Sequence, residues 1–249
     1  MKPIRAVLFD SGEVLTRPLA PADAPPDQPW RKWFPGPRFK SLVLARYPEV
    51  CFDGLDTAIL LGMEELDRLH TQPIWTLEEE TEQFAVFYRI VLDSLGVADD
   101  GLAHELARVR VREPSLEPYP EVPDTLERLR KSDLEMGVLS EAWPSLDLNY
   151  RRLGLRSLFR VFIVSANYGI LKDDPKLFDV ARERLDTPAE NTLFLDDWAP
   201  YVQVAIESGF QGAVVARDPD VPRIEGLTYM TNLNEVEELV LSRADEHPG

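Results

Sequence analysis

Five polar residues of this sequence each follow a short apolar segment. They are Asp10, Ser140, Lys172, Asp196 and Asp197. Taken singly, each has an ordinary explanation, because Asp and Ser are common in turns and helix caps and lysines are common on surfaces. The apolar segments have the length and composition of buried strands, and they occupy 4–9, 136–139, 161–164 and 192–195. Ligands of open parallel sheets bind beyond the carboxyl ends of the strands, so we expect the five side chains to share one site.

The residue types of this set fit phosphoryl chemistry. Three carboxylates and a nearby backbone carbonyl make the oxygen-ligand site that Mg²⁺ prefers. Lys172 and the metal ion would neutralise the phosphoryl oxygens, and Ser140 would donate a hydrogen bond to one of them. Asp10 would attack phosphorus and form an aspartyl-phosphate. The sequence therefore predicts a magnesium cofactor and a nucleophilic aspartate at one edge of a sheet.

The elements that must position these residues alternate between strands and helices. A further apolar segment at 213–215 predicts another strand, and helical patterns occupy 122–131, 146–153, 176–185 and 200–208. This alternation is typical of βαβ units. It predicts an α/β fold with a parallel sheet.

The long segment 17–116 lacks this alternation. It begins with many prolines and continues with helical patterns, of which the clearest begins at Thr76. Thr76 and Glu79, three positions apart, predict a capping box at the start of that helix. We therefore expect a catalytic α/β core made of 1–16 and 117–249, and an all-helical cap made of 17–116.

Four segments of the sequence stand in the order of the motifs of a known family. They are 6–15 (AVLFDSGEVL), 137–140 (GVLS), 169–178 (GILKDDPKLF) and 193–197 (LFLDD). The sequence therefore resembles the haloacid dehalogenase-like (HAD) superfamily of hydrolases. The resemblance implies a Rossmann-like core with an inserted helical cap of the C1 type, which closes over the substrate.

The resemblance also implies roles for the site residues. Asp10 is similar in position to the family's nucleophile and metal ligand, and the carbonyl of Gly12 to the backbone metal ligand. Asp197 resembles the direct carboxylate ligand. Asp196 is expected to lie one layer further from the metal ion or to bind it through water.

The sequence departs from the family pattern at three positions near this site. Gly12 stands where family phosphatases usually carry an aspartate that serves as general acid and base, a function worth about 10²- to 10⁴-fold in rate. Glu13 stands at a position that is commonly glycine, and Glu141 at one that is commonly asparagine. We expect both glutamates to point to solvent or cap helices, because a buried unpaired carboxylate is costly. Alternatively, one of them acts as the missing acid/base or binds a cationic substrate group.

An aromatic and basic cluster lies near the start of the predicted cap. Its members are Trp30, Arg31, Lys32, Trp33, Phe34 and Arg38. The cluster could contact the substrate from above. We favour the interpretation that these residues pack one cap helix, because tryptophans at such spacing are most often core residues.

Charge and composition argue against several partners. A formal net charge of −17 disfavours nucleic acid, which is bound largely through Lys and Arg. No stretch approaches the roughly 20 apolar residues of a membrane span, and the N-terminal apolar run is too short for a signal peptide. The single cysteine, Cys51, agrees with a reducing compartment and is expected to be buried or half-buried. We therefore expect a cytoplasmic protein without nucleic-acid or membrane partners.

The leading functional hypothesis is a magnesium-dependent phosphatase that hydrolyses a small phosphorylated metabolite through an aspartyl-phosphate. A catalytically degenerate HAD-like binding or regulatory protein is an alternative, which the changes at Gly12, Glu13 and Glu141 would fit. A metal-independent 2-haloacid dehalogenase is less favoured. Such relatives typically carry an aromatic residue two positions after the nucleophile and an asparagine after the serine, where this chain has Gly12 and Glu141.

Overall fold

The computed structural model describes residues 2–21, 23–218 and 222–245, without the side chains of 241–245. In this part of the chain the strands are β1 (Ala6–Phe9), β2 (Thr16–Pro18), β3 (Leu116–Pro118), β4 (Glu135–Ser140), β5 (Val161–Val164), β6 (Thr192–Asp196), β7 (Gln211–Val215) and β8 (Thr228–Met230). The α-helices are α1 (Phe39–Arg46), α2 (Leu55–His70), α3 (Leu77–Ser94), α4 (Asp100–Arg112), α5 (Val122–Lys131), α6 (Ser145–Arg152), α7 (Lys176–Arg184), α8 (Ala199–Glu207) and α9 (Glu235–Asp245). Short 3₁₀ turns occupy Pro29–Lys32, Arg156–Leu158, Ser165–Asn167 and Ala189–Asn191.

A six-stranded parallel sheet forms the centre of the molecule, in the order β5-β4-β1-β6-β7-β8. Val7 and Phe9 of β1 belong to an apolar cluster that includes residues of α5, α6 and α9. Leu8, on the opposite face, packs in a cluster with residues of α7 and α8. Because helices cover both faces, β1 is apolar throughout and fully buried. The predicted α/β, Rossmann-like fold is confirmed, and β8 extends the sheet beyond the predicted strands.

The helices of the sheet region agree closely with the predicted ones. The helix α5 has the predicted bounds, and the ends of α6, α7 and α8 differ from the predicted ends by at most one residue. The 3.6-residue spacing of the apolar side chains determined these bounds, because each helix buries one face against the sheet.

The helices α1 to α4 form the insertion and have an apolar core of their own. The predicted capping box is confirmed, since the Thr76 hydroxyl accepts from the Glu79 N–H and the Glu79 carboxylate accepts from the Thr76 N–H. A Cβ at Gly62 of α2 would lie 2.6 Å from the Phe87 ring of α3. Glycine in this helix therefore allows the close approach of α2 and α3.

An antiparallel ribbon of β2 and β3 joins the insertion to the sheet region. Its pairing places Thr16 opposite Pro118. The sequence analysis missed both strands, because each has three residues and ends in proline, which strand patterns disfavour. The predicted boundaries between core and cap fall within this ribbon, and the division into 1–16, 17–116 and 117–249 stays a prediction.

The end of α2 docks against the 3₁₀ turn that follows β5. Nε2 of His70 lies 2.7 Å from the Ser165 hydroxyl, within hydrogen-bond distance. The N–H of Ile74 donates to the Ala166 carbonyl at 2.9 Å, and the Asn167 amide donates to the Ile74 carbonyl at 2.8 Å. Burial lowers the pKa of His70 to about 4, so this histidine is neutral at physiological pH. Polar contacts therefore fix the insertion beside the Lys172 loop.

The expected burial of Cys51 was wrong. This cysteine is exposed, in the turn between α1 and α2, where no packed face covers it. Among the described helices, none is both long and apolar enough to cross a lipid bilayer.

Candidate active site

The carboxyl ends of three neighbouring strands bring predicted site residues together. Asp10 follows β1, Ser140 ends β4 and Asp196 ends β6. The N–H of Asp10 donates to the Leu195 carbonyl at 2.8 Å, so the pairing with β6 extends to the aspartate. All three side chains are buried. Parallel pairing thus gathers at one edge of the sheet residues that are far apart in sequence.

Lys172 reaches this edge from the loop after β5. Its ammonium donates to Asp10 Oδ1 at 2.8 Å and to Asp196 Oδ2 at 2.6 Å. The ammonium also lies 4.8 Å from the ring centroid of Tyr201, at cation–π distance. Burial alone would lower the pKa of Lys172, but the charges of Asp10 and Asp196 outweigh this effect and raise it. The lysine is therefore permanently charged and holds both carboxylates in position.

The three predicted carboxylates form a compact cluster. Asp10, Asp196 and Asp197 each offer an oxygen, and these atoms lie within 4.8 Å of one another. Asp196 is fully engaged, because its other oxygen accepts from the Trp198 N–H at 2.8 Å. Asp197 has no hydrogen bond or ion pair with any described residue. Its carboxylate is the unengaged ligand of the cluster.

The electrostatics of the cluster favour a bound cation. Burial raises the pKa of Asp196, and the charge of Asp10 adds to this effect against the opposing charge of Lys172. Burial, Asp196 and Asp10 also raise the pKa of Asp197. Three carboxylates face one lysine, and a divalent cation would neutralise the surplus negative charge.

The carbonyl of Gly12 completes a plausible ligand set. This oxygen accepts no backbone hydrogen bond from the part of the chain that the structure describes, and a Cβ at Gly12 would lie 3.8 Å from Asp10 Oδ2. Carboxylates and a free carbonyl are the oxygen ligands that suit Mg²⁺. The residues present therefore fit the predicted ion.

A cavity of about 220 Å³ lies over the strand ends, between the sheet and the insertion. Its core wall consists of Asp10, Ser11, Gly12, Ser140, Glu141, Ala142 and Lys172, with Trp143 just before α6 and Ser145, Leu146 and Asn149 in α6. The other wall consists of Trp33, Phe34, Glu80 and Arg110, with Ser115 and Leu116 at the ribbon. We call it the site cavity. It gives a small substrate access to Asp10, Ser140 and Lys172 together.

Trp33 occupies the space above Gly12. A Cβ at Gly12 would lie 3.2 Å from Cζ2 and 3.3 Å from Cη2 of the indole. This spacing is tighter than ordinary van der Waals contact, so a larger residue at position 12 would have to displace the ring. Position 12 thus lacks the aspartate of family phosphatases, and an aromatic ring of the insertion lies where that side chain would begin.

The structure separates the two unusual glutamates. Glu13 has a φ of +54°, accepts from the Tyr119 hydroxyl at 2.5 Å, and lies in a different cavity beside Asp197. Glu141 lines the site cavity and accepts from the Lys172 N–H at 3.1 Å and from the Tyr201 hydroxyl at 3.3 Å. We expected both to point to solvent or cap helices, but both are partly buried and hydrogen-bonded to Tyr119, Lys172 or Tyr201.

The residues of the aromatic and basic cluster have different surroundings. Trp33 and Phe34 line the site cavity, and Trp30 packs against the apolar core of the insertion. Arg31 is buried, with Nε 3.0 Å from the Asp56 carboxylate. The remaining two, Lys32 and Arg38, are exposed. Neither substrate contact nor packing of the insertion therefore describes the whole cluster. Trp30 packs in the apolar core, whereas Trp33 and Phe34 reach the cavity wall.

The sequence analysis missed two charged residues of the cavity, Glu80 and Arg110. Glu80 accepts from the N–H and the hydroxyl of Ser145, at 2.7 and 2.5 Å. Burial raises the pKa of Glu80 to about 7, against the lowering effect of these bonds. The sequence spacing could have indicated both residues. Glu80 lies four positions before the buried Phe84, and Arg110 lies four positions after the buried Leu106, so each shares a helix face with apolar residues.

Fold and site together define a Rossmann-like enzyme core in which a strand-end aspartate, a lysine and an acidic cluster lie under a helical insertion. The model of the haloacid dehalogenase-like hydrolases matches residues 4–209. The chain belongs to this hydrolase family. The resemblance to the haloacid dehalogenase-like superfamily that the sequence motifs indicated is therefore confirmed.

Similar proteins include both phosphatases and dehalogenases. The chain is 30% identical over 126 residues to a glyceraldehyde 3-phosphate phosphatase of Methanopyrus kandleri, a match that spans 44% of this chain and about half (52%) of that relative. A Bacillus subtilis HAD hydrolase solved with bound magnesium has 17% identity and a TM-score of 0.66, covering 96% of this chain and 99% of that chain. A 2-haloacid dehalogenase of Pseudomonas syringae has 21% identity and a TM-score of 0.65, covering 97% and 99%. At these identities the solved structures show the fold alone.

Proposed function

We propose that this protein is a magnesium-dependent phosphatase that hydrolyses a small phosphorylated metabolite through an aspartyl-phosphate on Asp10. The observation that carries the proposal is the acidic cluster, in which Asp197 has no partner among the described residues and the surplus negative charge suits a divalent cation. Displacement of a halide by an aspartate needs no such cluster. A small-molecule substrate also agrees with the net charge of −17, which disfavours polyanionic partners.

The residues that would hold the ion are Asp10, Asp197 and the Gly12 carbonyl. When bound, the ion neutralises charge on the phosphoryl oxygens. Asp196 would serve mainly to position Lys172, since one of its oxygens accepts from that ammonium. This arrangement agrees with a role for Asp196 behind the direct ligands.

The reaction proceeds in two displacements on Asp10. One oxygen of its carboxylate attacks phosphorus, the bond from phosphorus to the leaving oxygen breaks, and Lys172 and Ser140 bind the phosphoryl oxygens. Water then attacks the phosphorus of the aspartyl-phosphate and gives a proton back to the group that protonated the leaving oxygen. The bond from phosphorus to Asp10 breaks, which releases phosphate and restores the carboxylate. Lys172 donates to Oδ1 of Asp10 and so holds the carboxylate in position for the attack.

The leaving oxygen needs a proton that Gly12 cannot supply. Of the two glutamates considered for this role, Glu141 lines the site cavity and Glu13 lies in the neighbouring cavity. We therefore assign the proton transfer to Glu141. A general acid matters most for alkyl phosphates, because an alkoxide is a far poorer leaving group than an aryl oxide.

A 2-haloacid dehalogenase is the second candidate, and one observation favours it. The Trp33 ring lies against Gly12 and places an aromatic group next to the nucleophile, although from a different part of the chain than in dehalogenases. In that case Asp10 would attack carbon and displace a halide, and the reaction would need no metal ion. The acidic cluster would then have no chemical role.

The test compares hydrolysis of 4-nitrophenyl phosphate with halide release from 2-chloropropionate, each with Mg²⁺ and with a chelator. We expect Mg²⁺-dependent phosphate release that falls by on the order of a thousandfold or more in Asp10→Asn. Asp197→Asn should weaken the response to Mg²⁺, and Asp53→Asn, which alters an exposed aspartate of the insertion, should match the wild type. Halide release that is insensitive to the chelator would instead support the dehalogenase.

A further inference from the structure

Arg110, near the end of α4, is a cation of the site cavity that the mechanism above does not use. Its buried Nε has no hydrogen-bond partner, and its guanidinium forms no hydrogen bond or ion pair with any residue that the structure describes. Buried donors are almost always paired, because an unpaired one costs the free energy of its lost hydration. The position of Arg110 therefore needs an explanation.

Two aromatic rings hold the guanidinium in place without using its donors. Its central carbon lies 5.2 Å from the ring centroid of Phe84 and 5.9 Å from that of Phe34. Ring faces attract the positive charge, but they are weak hydrogen-bond acceptors. The side chain is thus positioned and the N–H groups remain available.

The nearby carboxylate of Glu80 forms no ion pair with Arg110, although the charge of Arg110 acts to lower the pKa of Glu80. Both oxygens of Glu80 are hydrogen-bonded to Ser145 instead. Burial also raises the pKa of Glu80 to about 7, which reduces its negative charge near neutral pH. The insertion wall therefore presents a net positive charge to the cavity, in a protein whose net charge is −17.

Lys172, the other cation that lines the cavity, is already bonded to Asp10 and Asp196. We propose that Arg110 binds a second anionic group of the substrate, a carboxylate or a second phosphate on the part of the molecule that leaves. The proposal rests on the proposed phosphatase function and narrows its substrate class. The substrate is a phosphorylated compound with two anionic groups, and the apolar walls at Trp33, Phe34 and Trp143 cover the carbon segment between them.

A second cavity of about 260 Å³ adjoins the site cavity at Arg110. The two cavities share Trp33, Arg110, Ser115 and Leu116. Arg110 therefore borders both cavities. A substrate that binds Arg110 has room for substituents beyond its anionic group.

A matched series of ligands tests this inference. The probes are phenyl phosphate, 3-carboxyphenyl phosphate and 1,3-phenylene bisphosphate, and their dissociation constants are measured by calorimetry in the Asp10→Asn protein, which does not turn them over. We expect at least one of the two probes with a second anionic group to bind on the order of tenfold to a hundredfold more tightly than phenyl phosphate. The better of the two shows whether the site prefers a carboxylate or a phosphate. Equal affinity for all three would overturn the inference.

Substitutions assign the preference to one side chain. Arg110→Gln should abolish the preference, and Arg110→Lys should keep part of it, because lysine retains the charge without the planar pair of donors. Arg108→Gln, which removes an exposed arginine of the same helix, should bind the probes like the parent protein. A preference that persists in Arg110→Gln would contradict the assignment. The ligand series in the parent protein remains decisive if that variant does not fold.

Turnover distinguishes this inference from the proposed function. If wild-type protein hydrolyses the three probes with equal KM, the phosphatase proposal is supported and the role of Arg110 is contradicted. If the protein hydrolyses none of the probes, yet binds those with a second anionic group through Arg110, the anion site is supported and the phosphatase is contradicted.

Discussion

The two walls of the site cavity differ in the sign of their surplus charge. On the core side, Asp10 of the cavity wall clusters with Asp196 and Asp197, which do not line the site cavity themselves, and Asp197 borders the neighbouring cavity of Glu13. The three carboxylates face one lysine, and Asp197 has no partner among the described residues. On the insertion wall, Arg110 has no hydrogen-bond or ion-pair partner among the described residues, and burial raises the pKa of Glu80 to about 7, so that this carboxylate is only partly ionised near neutral pH. The first wall suits a cation and the second an anion. Under the two proposals, the strand ends carry out the reaction and the insertion recognises the substrate.

The core wall depends most on Lys172, and its removal should have the largest effect. Lys172→Met leaves Asp10 and Asp196 buried without a counter-charge, so we expect a loss of about 3–5 kcal/mol in the free energy of unfolding, together with loss of turnover. Urea unfolding measures the first quantity. Lys176→Met removes an exposed lysine at the start of α7 and should change stability by less than about 0.5 kcal/mol. Equal stability of the two variants would contradict the paired-charge account.

The two glutamates near the site should differ next. Glu141→Gln is expected to lower kcat for an alkyl phosphate by about 10²-fold, since it removes the general acid, and to affect an aryl phosphate much less. Glu13→Gln should leave both rates nearly unchanged, because Glu13 bonds Tyr119 in a separate cavity. Unchanged turnover in both variants would show that neither glutamate is the general acid.

The contact between Trp33 and Gly12 predicts a smaller effect that depends on both positions. Gly12→Asp alone should not raise the rate on alkyl phosphates, because the indole occupies the space of the new side chain. The double variant Gly12→Asp with Trp33→Ala opens that space, and we expect a gain of up to about 10²-fold over Trp33→Ala alone. A gain in the single variant would show that the ring moves aside easily.

The smallest expected effect is the pH dependence of stability that arises from Glu80. Its pKa rises from 4.5 to about 7 on folding, so the folded state binds more protons in that range and stability falls as pH rises through it. The stability of Glu80→Gln relative to wild type should therefore improve between pH 4.5 and 7 by on the order of 1–3 kcal/mol, and stay constant above. The contribution of His70 is common to both proteins and cancels. Glu64→Gln, at an exposed position of α2, should show no such change.

The core side of the site could be predicted well, because the same local pattern, a buried apolar strand followed by a polar residue, recurs at each of its strands. Each of Asp10, Ser140 and Asp196 directly follows or ends a buried apolar segment, and parallel strands must align their carboxyl ends. Lys172 could be placed in the loop after β5, although its two ion pairs could not be foreseen.

The insertion wall was predicted poorly because its contacts depend on how separate helices dock. The proximity of Trp33 to Gly12 and the entry of Arg110 into the cavity follow from the packing of the insertion on the sheet, and no local pattern encodes it. Glu80 and Arg110 interrupt otherwise apolar stripes. A charged residue on an otherwise apolar helical stripe therefore indicates a residue that can face a cavity.

Attack of Asp10 on phosphorus is the step on which the proposed phosphatase depends. The most direct measurement is mass spectrometry of the protein quenched in acid during turnover of an aryl phosphate with Mg²⁺. We predict a phosphoryl group on the peptide that contains Asp10, present with Mg²⁺ and absent with a chelator or in Asp10→Asn. Turnover at full rate with Asp10 unmodified, in wild-type protein sampled throughout the reaction, would contradict the account.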